Sequence, residues 1–186
     1  MRTFISIPVP DTVKQHADKI KNELQLVAAD IKWVEYQNYH LTLKFLGDIN
    51  RSYIDDILQR LTTVGESCPP FQLSTKQIGY FPNSKRPRVI WMGLEGEVDK
   101  AGFLGERVDA YLSQIGFEPE KQRGYHLTLG RIRSDLHQNE LLNKAYNINK
   151  NMAMIDFTVQ EFCFMESQLS SSGPRYIPLG KINLNG

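Results

Sequence analysis

The sequence predicts an α+β fold: one domain over residues 1–186, bilobal and pseudo-two-fold duplicated, with antiparallel sheets flanked by helices and a central cleft. Three observations predict it. The order strand, helix, strand, helix, strand runs through the chain twice. The tetrapeptide His40-Leu41-Thr42-Leu43 recurs as His126-Leu127-Thr128-Leu129, 86 residues on and close to half the chain, as an internal repeat would leave it. Strand candidates fall in hairpin-like neighbours, which favours antiparallel pairing over parallel strands joined by crossovers. The approximate repeat halves are 1–84 and 85–186, with the boundary near residues 82–87.

The elements follow in order. Thr3 to Pro8 is the first strand. Pro10-Asp11 opens a helix with Asp11 as its N-cap, and Val13, Ala17, Ile20, Leu24 and Val27 line one face at spacings of three and four. Ile31 to Glu35 is a short strand, and Tyr39 to Leu46 is another that ends at Gly47-Asp48. Ser52 and Asp55 suggest a capping box for a helix carrying Ile54, Ile57, Leu58 and Leu61, with Gly65 as its stop. Strands are expected at Phe71 to Tyr80 and Arg88 to Leu94, around a turn at residues 82–87. A third helix runs from about Val98 to Ile115. Tyr125 to Arg133 is the second histidine-bearing strand. Ser134 caps a short helix through Leu141, Leu142 and Ala145, and Ile155 to Met165 and Tyr176 to Leu184 close the chain as strands.

Composition narrows the class. Apolar residues make up 41% and charged residues 23%, as in ordinary globular proteins. No apolar run approaches the roughly 20 residues of a membrane span, and the opening segment is broken at Pro8 before a signal peptide could form. A cytoplasmic location is expected. Cys68 and Cys163 are far apart and form no Cys-x-x-Cys pair, so both are expected to be reduced. The net charge of +1 favours a small nucleotide or one strand end over a long duplex, which is gripped through many phosphates. Nothing in the pattern marks a dimer interface, and a monomer is expected.

The repeated tetrapeptide carries the chemistry. On a strand, residues i and i+2 share a face. His40 and Thr42 therefore project together, while Leu41, Leu43 and Phe45 point into a core; His126 and Thr128 do the same opposite Leu127 and Leu129. Two imidazoles and two hydroxyls converging on a cleft suit phosphodiester cleavage. Near neutral pH one ring can accept a proton while the other gives one. The hydroxyls can hold the non-bridging oxygens. By residue pattern alone the two histidines are interchangeable. Zinc is the chemical rival, but it takes three or four protein ligands, and threonine stands at i+2 in both copies. No metal and no cofactor is expected. Lys44 has the parity of His40 and Thr42 and is placed at the phosphate. Arg131 has the opposite parity to His126 and reaches the cleft only if the strand twists or ends there. His16 and His137 are expected to be solvated. Lys85, Arg86, Arg88, Arg123 and Arg133 are candidates for steering an RNA end, and Phe4, Tyr39, Tyr80 and Phe81 for base stacking, against the ordinary readings of surface charge and core.

At these residues the chain resembles the two-histidine phosphoesterase superfamily, and within it the bacterial and archaeal RNA 2′,3′-cyclic phosphodiesterases, historically called 2′-5′ RNA ligases. Arg2 to Pro8 is similar to their opening strand. Trp33-Val34 with His40-Leu41-Thr42-Leu43-Lys44-Phe45-Leu46-Gly47-Asp48 resembles the first signature. Gly79-Tyr80-Phe81-Pro82 and Arg86-Pro87-Arg88-Val89-Ile90-Trp91 resemble the mid-chain segment, and His126-Leu127-Thr128-Leu129-Gly130-Arg131 the second signature. The match spans nearly the whole chain. It implies a bilobal fold and metal-free hydrolysis of RNA or nucleoside 2′,3′-cyclic phosphates to 2′-phosphates. His40 would protonate the departing 3′ oxygen, His126 would activate water, and Thr42, Thr128 and Arg131 would hold the phosphate. Tyr125 stands where the family commonly has proline; it is a packing residue or a stacking platform. The competing readings are 2′-5′ ligation of RNA ends, opening of another cyclic phosphate of the ADP-ribose type, and an RNA-end binding module without chemistry.

Overall fold

A computed structural model describes residues 1–186. Thirteen helices and strands follow one another: β1 (Arg2–Pro8), α1 (Asp11–Leu24), β2 (Ile31–Trp33), β3 (His40–Asp48), α2 (Ile54–Ser67), β4 (Phe71–Phe81), β5 (Val89–Gly96), α3 (Val98–Ser113), β6 (His126–Ile132), α4 (Gln138–Lys150), β7 (Asp156–Val159), β8 (Glu161–Ser170) and β9 (Gly173–Asn183). They build two sheets, ordered β3-β1-β8-β9 and β2-β6-β5-β4-β7. Every neighbouring pair is antiparallel. The α+β class with helices against antiparallel sheets is as expected.

The sequence halves are not the spatial ones. β2 and β4 come from the first half but lie in the sheet of β5 and β6; β8 and β9 come from the second half and complete the sheet of β1 and β3. The expected strand from Ile155 to Met165 is accordingly two strands. The chain leaves one sheet at Val159 and enters the other at Glu161. Each sheet thus closes around strands from both ends of the chain, and one continuous core runs through Ile5, Ile7, Leu41, Leu61, Ile90, Leu104, Leu127, Leu129, Phe162 and Phe164. Burying this much apolar surface is the main term that holds the sheets together.

Local chemistry explains the smaller departures. Asp11 lies in the first turn of α1 while Pro10 occupies the N-cap, where a missing N–H costs nothing. A carboxylate one residue into the helix still faces its positive end. The capping box at Ser52 does not form; the Asn50 side chain accepts the Ser52 N–H at 3.0 Å and starts a 3-10 turn ahead of α2. Gly65 does not stop α2, which continues to Ser67. A side chain there would meet Ile182 Cγ2 at 2.6 Å and the Asn183 carbonyl, so this glycine marks the close approach of α2 to β9. No helix is long and apolar enough to cross a membrane.

Candidate active site

β3 and β6 occupy corresponding places, one beside β1 and the other beside β5, save that the short β2 pairs with the outer side of β6 while β3 is an edge; the two strands approach each other. His40, Thr42, His126 and Thr128 are all half-buried, while Leu41, Leu43, Leu127 and Leu129 are buried in the core. Both copies then break strict alternation at the same letter. Opposite β1, Thr42 pairs with Ser6 and Lys44 with Ile5, leaving Leu43 as an extra residue. Opposite β5, Thr128 pairs with Trp91 and Gly130 with Ile90, leaving Leu129 extra. A bulge of one residue shifts every later side chain to the other face.

This shared bulge decides three assignments. Arg131, five residues after His126, is turned out to solvent on the face of His126 and Thr128. Its charge is felt by His126 and by Tyr176 of β9. Phe45, five residues after His40, emerges at 63% exposure instead of joining the core. It stands directly across from Phe4, ring centroids 6.4 Å apart. Lys44 is turned inward and is 2% exposed, its ammonium donating to Asp109 of α3 at 2.7 Å. The expectation that Lys44 meets the phosphate is therefore corrected: the bulge reverses its parity, and its charge is engaged by a buried carboxylate.

The two imidazoles sit in different settings. His40 Nδ1 lies 2.7 Å from the Asn38 carbonyl, which can only accept, so that nitrogen carries the proton. Its Nε2 is 3.0 Å from the Thr42 hydroxyl. Phe4 packs on the ring at 5.1 Å and Tyr176 meets it edge-on at 5.2 Å and 89°. Burial pulls the His40 pKa below 6.5, opposed by the Asn38 carbonyl and aided by the Lys14 ammonium. His126 is enclosed by Phe81 at 4.9 Å and Trp91 at 5.7 Å. Its Nδ1 is buried with no partner in hydrogen-bonding geometry, although the Gly124 carbonyl is near enough to favour the proton. Burial lowers its pKa, and the Arg131 cation lowers it further.

The remaining candidates divide. Phe81 is 42% exposed against His126, and Phe4 lies buried under His40; Tyr39 and Tyr80 belong to the core, with buried and unpartnered hydroxyls. Tyr125 is half-buried and packs against the core with its hydroxyl towards Gly102 of α3. His16 is not solvated as expected: its Nε2 is buried and burial lowers its pKa. His137 is exposed and pairs with Glu140 at 2.9 Å. Arg133 pairs with Asp30 and Arg123 with the buried Asp109, whereas Lys85 and Arg86 are exposed on the 82–87 turn. Tyr176 was not anticipated. No motif marks it, because β9 reaches the site only by crossing from the far end of the chain.

An α+β frame that carries His-x-Thr on equivalent strands of two sheets has the organisation of the two-histidine phosphoesterases. The comparisons agree. The family model described as LigT-like phosphoesterase matches residues 7–91 and 97–176. An RNA 2′,3′-cyclic phosphodiesterase of Thermotoga maritima is 33% identical over 186 residues, covering 100% of this chain and 97% of its own. One of Aquifex aeolicus is 30% identical over 188 residues, covering 100% and 98%. A crystal structure from Thermus thermophilus superposes with a TM-score of 0.81 at 25% identity, covering 100% and 99%. E. coli LigT, solved in complex with 3′-AMP, shares the fold at a TM-score of 0.70 and 21% identity over 100% and 98% of the chains. The chain belongs to the LigT-like phosphoesterase family.

Proposed function

We propose that this protein hydrolyses 2′,3′-cyclic phosphates at RNA ends or on nucleosides, leaving a 2′-phosphate and a free 3′ hydroxyl, without a metal ion. Relatives named for this activity match the chain over its full length. The observation that carries the mechanism is the unequal setting of the two histidines. Burial lowers the His40 pKa and Lys14 adds to this, while the Asn38 carbonyl opposes it and holds a proton on Nδ1; when the ring is protonated, its Nε2–H is the proton available to a leaving oxygen. At His126 burial first, and the Arg131 cation with it, favour the neutral ring against the Gly124 carbonyl, and the neutral ring is the form that can take a proton from water.

The proposed step balances with these groups alone. Water attacks phosphorus as its proton passes to His126. The P–O3′ bond breaks as His40 delivers its proton to O3′. His40 ends neutral and His126 charged, and exchange with solvent restores both. Thr42, Thr128 and Arg131 are proposed to hold the non-bridging oxygens, where donors aimed at developing charge act most strongly. Phe45 offers an exposed face on which a base can stack.

The test is incubation with each nucleoside 2′,3′-cyclic phosphate in EDTA, the products resolved as 2′- or 3′-monophosphates. A 2′-phosphate is expected. A 3′-phosphate would reverse the choice of leaving oxygen. Tight binding of cyclic-phosphate RNA ends with no turnover would leave an RNA-end binding module, and dependence on added metal would overturn the metal-free reading.

A further inference from the structure

The Lys44–Asp109 pair belongs to a larger buried cluster. Lys44 also donates to the Glu118 carbonyl. Asp109, 8% exposed on α3, uses its second oxygen to accept the Glu120 backbone N–H at 3.1 Å and the Arg123 guanidinium. Gly105, one turn before Asp109, makes room for this: a side chain there would run into Arg123. All three loop residues lie in the segment 114–125, which links α3 to β6 and ends at His126.

Lys44 is two residues after Thr42, and Arg123 is three residues before His126. One carboxylate therefore joins the middle of β3, just past its His-x-Thr, to the segment that leads into β6. The joint is made inside the protein, where ionic hydrogen bonds are short and directional. Two cations share one carboxylate, an arrangement that hydrophobic packing alone would not select.

We propose that Lys44 is a positioning residue for His126: through Asp109 and the Glu118 carbonyl it anchors the 114–125 loop and so fixes where β6 presents its imidazole relative to β3. This rests on the reading that both histidines do chemistry. A misplacement of a catalytic group by a fraction of an ångström is costly because proton transfer demands close alignment.

Two substitutions test it, each removing one cation and leaving Asp109 in a matched pair with the other, so that no uncompensated charge is buried. For Lys44→Met, kcat on a 2′,3′-cyclic nucleotide is expected to fall about 10- to 100-fold, while inhibition by inorganic phosphate is unchanged. Amide exchange of residues 117–124 should quicken, and the His126 ring resonances should move while those of His40, on the strand of Lys44 itself, stay in place. Arg123→Met should release the same loop and move the same ring with Lys44 intact. Unchanged kcat and unchanged exchange in both variants would overturn the proposal. So would weakened phosphate inhibition at full kcat in Lys44→Met, which would mean that Lys44 touches the phosphate. If the wild-type protein turned over no cyclic phosphate, the proposed function would fail, and the exchange and ring resonances would still decide whether the anchor exists.

Discussion

His40 has a partner on each ring nitrogen, a carbonyl and a hydroxyl; His126 has a buried Nδ1 with none. The two copies share four letters, a strand position and a bulge, so the backbone supplies symmetry. The neighbours remove it. One ring lies among Phe4 and Tyr176, with Lys14 as the nearby charge, and the other among Phe81 and Trp91, with Arg131. Equivalent places beyond the bulge hold Phe45 in one copy and Arg131 in the other, an aromatic face against a cation. Two copies of one motif thus stand in unlike environments, as the proposed division into acid and base requires.

The sharpest way to break this comparison is to remove each ring in turn. His40→Ala and His126→Ala should each lose about 10²- to 10⁴-fold in kcat on a cyclic phosphate. On a phosphodiester with a nitrophenolate leaving group, which departs without a proton, His40→Ala should recover most of its loss and His126→Ala should not. Recovery by His126→Ala instead would exchange the two roles. Next in size come the hydroxyls: Thr42→Ala and Thr128→Ala should each cost about 10²-fold in kcat, as for a single donor to developing charge. Thr42→Ala should also disturb the His40 ring resonances, because only that hydroxyl is bonded to its histidine.

How much of this was written in the letters depends on distance along the chain. The repeat, the strands that carry it, and the inward leucines were legible because strand alternation is local. Lys44 and Phe45 were misread because a bulge is a property of two strands together and leaves no mark on one. A hint was present nonetheless. Arg131 stands five residues after His126 and Phe45 five after His40, so any device that brings Arg131 to the cleft face also exposes Phe45 and buries Lys44. The crossing of β2 and β4 into one sheet and of β8 and β9 into the other, and with it the arrival of Tyr176 on β9, was out of reach, since pairing between distant strands follows from the packed core as a whole.

The smallest effects probe the charges beside each ring. Arg131→Gln should weaken kcat/KM about 10-fold or more if the proposed charged hydrogen bond to phosphate is lost. It should also raise the His126 pKa, because the departing cation opposed protonation. The base must be neutral to act, so activity is lost as pH falls through that pKa, and the acid limb should move to higher pH. Lys14→Gln acts on the other ring. Lys14 lowers the His40 pKa, and its removal should let His40 hold its proton to higher pH. The acid must be protonated to act, so here the alkaline limb moves up while the acid limb stays. Lys14 lies on α1, outside both tetrapeptides, and its effect should be about twofold or less at the optimum and fade as salt rises. If Lys14→Gln moved the acid limb, or Arg131→Gln the alkaline one, the rings would be carrying each other's protons and the asymmetry drawn from Asn38 and Arg131 would be the wrong way round.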